Sequence, residues 1–154
     1  MSATVTSIAS VRPKEFHFPL TVDSVGGRRV RVDVEGKQPV EVCPPIVFSG
    51  EDPATWSPED FFVAAAASCL AVTFTGIAAR ACLDYDDLTV AADGVCGQRP
   101  DGHFGFTSLW LRLELVTTED ETEARTLAER AEEACLVAAS LDVPIETEIV
   151  VNGR

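Results

Sequence analysis

Basic residues are scarce in this chain: 12 Lys and Arg stand against 25 Asp and Glu, a formal net charge of -13 over 154 residues. No Lys/Arg-rich stripe exists to neutralise phosphates, which argues against a nucleic-acid binder. The same deficit argues against adsorption to an anionic membrane surface. Histidine is scarcer still, with only His17 and His103. No Cys-x-x-Cys pair occurs, so a zinc site would need scattered ligands, and no metal or cofactor is expected. The N-terminal stretch lacks a positive charge followed by an unbroken apolar core, so no secretory leader is expected. The five cysteines, Cys43, Cys69, Cys82, Cys96 and Cys135, are odd in number and widely spaced. They point to free thiols in a reducing, cytoplasmic setting rather than to a disulfide framework.

What is present suits one compact domain. Apolar residues make up 46% of the chain, enough to bury a core at this length. Residues 1–14 are small, polar and unpatterned and read as a loose leader, leaving 15–154 as a single domain. Short strands are expected over 16–23, 28–34 and 38–43, punctuated by Gly26-Gly27 and Glu35-Gly36-Lys37. Val30, Val32 and Val34 alternate with Arg29, Arg31 and Asp33, as in a half-buried strand. A loop follows over 43–56. Ser57-Pro58-Glu59-Asp60 then combines a capping hydroxyl, a proline at the first helical position and two acids in the first turn, which marks a helix start.

Residues 61–79 carry no charge for nineteen positions, close to the length of a membrane span. The run is mostly alanine with Ser, Thr and Gly, starts directly after two acids, and has neither a Trp/Tyr belt nor a basic cytoplasmic flank. The membrane reading is therefore rejected. A helix apolar all round in a soluble domain must be buried on all sides, wrapped by sheet or by a partner chain.

Further strands are expected over 88–96 and 104–116, joined by a seven-residue loop over 97–103. Leu109, Leu111, Leu113 and Leu115 share a face, while Phe104 and Phe106 are out of phase with them, which predicts a bulge near Thr107-Ser108. Thr118-Glu119-Asp120-Glu121 reads as a capping box for a second helix. That helix's inward face is Ala124, Leu127, Ala128, Ala131, Cys135 and Ala138. A last strand is expected over 145–151. The sum is an α+β domain: antiparallel β-sheets around a long buried central helix, plus a second amphipathic helix.

Two thiols sit on those helices, Cys69 in the middle of the first and Cys135 on the inward face of the second. By placement alone they are small buried hydrophobes. For Cys69 to be a thiolate near neutral pH, a cation must be brought to it, because the field of its own helix N-terminus fades within a turn. Arg28, Arg29 and Arg31, clustered after Gly26-Gly27, are the candidates. A cysteine–histidine hydrolase is a weak reading, since neither histidine has a helpful context.

The residues match a known pattern. The chain resembles the OsmC/Ohr family, thiol-dependent organic hydroperoxide reductases and their relatives, over about residues 16–151. The resemblance rests on Ser57-Pro58-Glu59-Asp60-Phe61-Phe62 followed by Ala-Ala-Ala-Ala-Ser-Cys69-Leu, and on Ala-Glu-Glu-Ala-Cys135-Leu-Val-Ala-Ala-Ser-Leu. It implies that Cys69 is the peroxidatic thiolate and Cys135 the resolving thiol, forming a disulfide that a dithiol or lipoyl-type reductant reopens. It further implies that Glu59 pairs with an arginine near the thiol. Arg28 is the best match, and Arg29 or Arg31 would serve in the other branch. The chain departs from the Ohr branch at Pro44-Pro45-Ile46-Val47-Phe48-Ser49-Gly50, where glycines follow that branch's proline. Ten positions separate Glu59 from Cys69, about 15 Å along a straight helix. An intertwined homodimer with composite sites is therefore expected, the partner chain bringing Glu59 and the arginine to Cys69. Cys43, Cys82 and Cys96 receive no role. The alternative function is a non-catalytic dimer of the same fold that binds an apolar small molecule.

Overall fold

The computed structural model describes residues 14–153. The expected loose leader lies outside them, apart from Lys14. The chain falls into two compact units, one ending at Val42 and the other starting at Cys43.

The N-terminal unit is a three-stranded antiparallel sheet in the order β1 (Thr21–Gly26), β2 (Arg29–Asp33), β3 (Val40–Val42). Gly26 and Gly27 form its first turn with φ of 114° and 59°, left-handed backbone that glycine adopts without a Cβ clash. Phe16, Phe18, Leu20 and Val22 are exposed, Phe18 to 84%.

The second unit runs α1 (Pro58–Ala81), β4 (Asp87–Gln98), β5 (Phe104–Thr117), α2 (Glu121–Glu133), α3 (Leu136–Ser140), β6 (Ile145–Gly153). Its sheet has the order β4-β5-β6. β4 and β5 form the expected hairpin, and the bulge is where the phase change put it: Val95 pairs with Ser108 and Cys96 with Phe106, leaving Thr107 as the extra residue. Leu109, Leu111, Leu113 and Leu115 line the buried face, each at most 2% exposed. The outer face pairs Arg112 with Glu148 and Glu114 with Asn152 across β5 and β6.

The expectation of wholly antiparallel sheets is corrected here, because β6 pairs parallel to β5. Parallel neighbours need a crossover of a dozen residues or more, and α2 and α3 supply it.

Helix α1 begins as its sequence demands. Ser57 Oγ accepts from the Asp60 N–H at 3.1 Å, and Asp60 Oδ2 accepts from the Ser57 N–H at 2.8 Å. It ends at Cys82, which takes the left-handed cap conformation with φ of 56°. By length and composition alone it would cross a membrane. Here Ala66, Leu70, Phe74 and Ala78, spaced four residues apart, are buried in the core it shares with the leucines of β5 and with Ala124, Ala128 and Ala131 of α2. Burying Leu70 and Phe74 contributes about 1.5–3 kcal/mol each. Against β4 the fit is close: a Cβ on Gly94 would lie 2.7 Å from both the Phe106 ring and Val63. The expectation of burial on every side is corrected for the single chain. Phe61, Ala65, Ser68, Val72 and Thr75 remain exposed, Val72 to 69%, because one chain supplies cover to one face only.

The second helix also differs from its expected form. Thr117, not Thr118, is drawn inward, its Oγ1 donating to Asp84 O at 2.7 Å and accepting from the Glu119 N–H at 3.0 Å. The cap is Asp120, whose carboxylate accepts from the Glu123 N–H at 2.8 Å. The helix then stops at Glu133, two residues short of Cys135.

Candidate functional site

The break between α2 and α3 builds the site. Cys135 sits between the helices in an extended conformation, φ -68° and ψ 103°, as the residue that precedes α3. The first N–H groups of a helix have no partner within it. Those of Val137 and Leu136 act instead on the sulfur of Cys69, in the middle of α1. Thr73, one turn further along α1, places its Oγ1 4.0 Å from the same sulfur. The thiol of Cys135 completes the surround.

Cys69 and Cys135 act on each other, and their acidities are driven apart. Burial raises Cys69, but the N–H of Val137, the Cys135 thiol, the Thr73 hydroxyl and the N–H of Leu136 outweigh it, and the net shift is downward. Cys135 is 1% exposed. Burial pushes its thiol up, the N–H of Ala138 offsets part of this, and the negative charge of the neighbouring Cys69 pushes it up further. When the pair gives up one proton, Cys69 is therefore the thiol that loses it and Cys135 the one that keeps it. A thiolate is the nucleophilic form of cysteine, and one held beside a second thiol is set up for oxidation to a disulfide. Sequence reasoning sought a cation for Cys69 and missed the backbone donors. The sequence carried no signal for them, because Ala131, Cys135 and Ala138 keep helical spacing through the break that frees these N–H groups.

Glu59 is elsewhere. It lies in the first turn of α1, which runs unbroken to Ala81, so the sequence's separation of about 15 Å from Cys69 holds within one chain. It opens instead on a cleft of about 650 Å³ lined by Phe48, Trp56, Val63, Cys96 and Phe106. Its Oε2 is buried with no hydrogen-bond partner among the described residues. Across the cleft, burial and the Glu59 charge both push the Cys96 thiol up. Phe62 stacks on Phe106 beside this cleft at 4.2 Å between ring centres.

The three candidate arginines belong to the N-terminal unit. Arg28 follows the Gly26-Gly27 turn, Arg29 pairs with Glu41 at 3.6 Å, and Arg31 pairs with Asp33 at 2.9 Å. Of the thiols without an assigned role, Cys43 is buried and donates to Asp52 O at 3.6 Å, and Cys82 is exposed at the end of α1. His103 stands exposed in the β4–β5 turn beside Asp101.

Comparison with known proteins bears on this arrangement. The sequence profile of the family described as OsmC-like protein matches residues 50–150, a span that holds both thiols and Glu59. The uncharacterized protein YmaD of Bacillus subtilis (strain 168) is 23% identical over 141 residues, 88% of this chain and 93% of that one. Among solved structures, an OsmC-like protein of unknown function from Vibrio cholerae superposes with a TM-score of 0.81 at 21% identity, over 88% of this chain and 100% of that one. An organic hydroperoxide resistance protein from Elizabethkingia anophelis superposes with a TM-score of 0.74 at 24% identity, over 93% and 100%. At such identities these likenesses establish a shared α+β fold.

Proposed function

Since the chain belongs to the OsmC-like protein family, we propose that it is a cysteine-based peroxidase that reduces organic hydroperoxides to alcohols. The observation that carries this reading is the Cys69–Cys135 pair, with its lowered and raised thiols acting on each other. The relative from Elizabethkingia anophelis, named an organic hydroperoxide resistance protein, supports the substrate class.

The chemistry follows from the pair. The Cys69 thiolate attacks one oxygen of the peroxide, the O–O bond breaks, and the alkoxide leaves and takes a proton to become the alcohol. Cys69 is left as a sulfenic acid. The sulfur of Cys135 then displaces hydroxide, which leaves as water with the Cys135 proton, and the Cys69–Cys135 disulfide forms. An external dithiol, of the lipoyl type, returns two electrons and reopens it. No resident cofactor is needed for these steps.

Arg28 is the cation assigned to the developing alkoxide, with Arg29 and Arg31 as the other two candidates. Glu59 is assigned as its carboxylate partner, which would satisfy the orphan oxygen in the cleft. Because Glu59 and Cys69 lie apart along α1, the composite site requires a second copy of the chain. A homodimer built from one domain per chain, 15–154, is also supported by the exposed apolar residues, Val72 on α1 and Phe16, Phe18 and Leu20 in the N-terminal unit. The setting proposed is cytoplasmic, without membrane or nucleic-acid partners.

The test is a titration of the reduced protein with cumene hydroperoxide, followed by thiol counting. Rapid loss of two thiols, abolished by Cys69→Ser and reduced to one sulfenate-forming thiol by Cys135→Ser, is expected. A wild type that reacts no faster than free cysteine would leave the other reading, a non-catalytic dimer that binds an apolar small molecule.

A further inference from the structure

Hydroxyls inside helices ordinarily donate to a carbonyl three or four residues earlier. Four among the described residues do: Ser68 to Ala65 O at 3.4 Å, Thr75 to Val72 O at 2.8 Å, Thr126 to Thr122 O at 2.9 Å and Ser140 to Leu136 O at 2.7 Å. Thr73 does not. Among the described residues, its hydroxyl meets the Cys69 sulfur, at 4.0 Å. The i,i+4 spacing along α1 puts the two side chains on one face, one above the other.

The hydroxyl is placed to act where the other donors do not. The N–H groups of Leu136 and Val137 lower the Cys69 thiol from α3, and the thiol of Cys135 does so from the residue before it. All three come from the α2–α3 break. Thr73 alone approaches from the helix that carries Cys69. When Cys69 is ionised its sulfur has no proton to give, so the contact has one polarity, with the Thr73 O–H donating to the thiolate.

We propose that Thr73 is a positioning residue for Cys69, its hydroxyl donating to the thiolate and holding the sulfur beneath the first turn of α3. This rests on the reading of Cys69 as the nucleophile, and it extends that reading to a residue outside both cysteine motifs. Thr73 also works within one chain. The thiolate is then formed by α1 and the α2–α3 break, while the arginine acts on the peroxide.

The experiment reads the Cys69 thiolate directly and uses no peroxide, so its failure is distinct from failure of the peroxidase reading. Reduced wild type, Thr73→Val, Thr73→Ala and Thr73→Ser are alkylated with iodoacetamide across pH 5 to 10. The rate is followed on the Cys69 peptide by mass spectrometry. Losing one hydrogen bond to a charged, half-exposed sulfur is expected to move the midpoint upward and to slow alkylation at pH 6 by roughly three- to tenfold in the Val and Ala variants. Thr73→Ser, which keeps the donor, restores the wild-type profile. The proposal is overturned if the Val and Ala profiles coincide with wild type. It is equally overturned if Thr73→Ser is as slow as Thr73→Val, since the methyl packing and not the hydroxyl would then matter.

Discussion

Leu136→Pro tests the assignment of the Cys69 donors with little disturbance to the fold. Leu136 is the first residue of α3, and proline is favoured at that position because the helix has no use for its N–H. The residue before a proline must be extended, and Cys135 already is, with ψ of 103°. The leucine side chain is 68% exposed, so its loss gives up little burial. What the substitution removes is one N–H that acts on the Cys69 sulfur. A hydrogen bond to an ionised group is worth about 1.5–3 kcal/mol when dry. Solvent reaches Cys69, and Leu136 makes the smallest of the four favourable contributions there, so roughly half of the lower figure applies. That corresponds to about 0.5 of a pH unit, or about threefold less thiolate at any pH below the midpoint. The assay is the pH profile of Cys69 alkylation, with circular dichroism melting as the control for folding. The sign in stability follows from the same shift. A thiol more acidic in the folded state contributes stability that is present above its unfolded pKa and is lost as pH falls through its folded pKa. The Leu136→Pro variant should therefore melt closer to wild type at acid pH than at alkaline pH. A variant that melts like wild type at every pH and keeps the wild-type midpoint would refute the claim that α3 holds the thiolate.

Arg28→Ala should slow reduction of cumene hydroperoxide by at least tenfold, measured as alcohol formed, and an undiminished rate would move the assignment to Arg29 or Arg31. Gly94→Ala places a methyl 2.7 Å from Phe106 and Val63 and should destabilise the fold by about 1–3 kcal/mol in urea titration, whereas a neutral outcome would mean that α1 can lift off β4. Phe74→Ala, at a position with no exposure, should cost about 3–5 kcal/mol in the same titration. Light scattering should find two copies of the chain per particle, and a stable, active monomer would end the composite-site reading.

The start of α1, the inward leucines of β5 and the bulge at Thr107 were legible because each depends on neighbours a few residues away. A cap needs its hydroxyl three residues from its N–H, and a strand face needs only alternation. The parallel pairing of β6 was legible in principle from the strand–helix–strand order, but direction is a property of the crossover and not of either strand. The shortened second helix was hidden by its own periodicity. Ala131, Cys135 and Ala138 keep helical spacing straight through a break that the backbone makes at Cys135.

Composition and local pattern alone determined the class of the domain, the two cysteine positions and the shortage of cations that made a thiolate difficult to explain. Only the tertiary structure decided how that difficulty is met. The groups that hold Cys69 are N–H donors of Leu136 and Val137, more than sixty residues away along the chain, together with a hydroxyl one turn along its own helix. Backbone N–H groups carry no mark in a sequence, since every residue but proline has one. Their availability depends on where a helix begins, and their direction on how two helices pack.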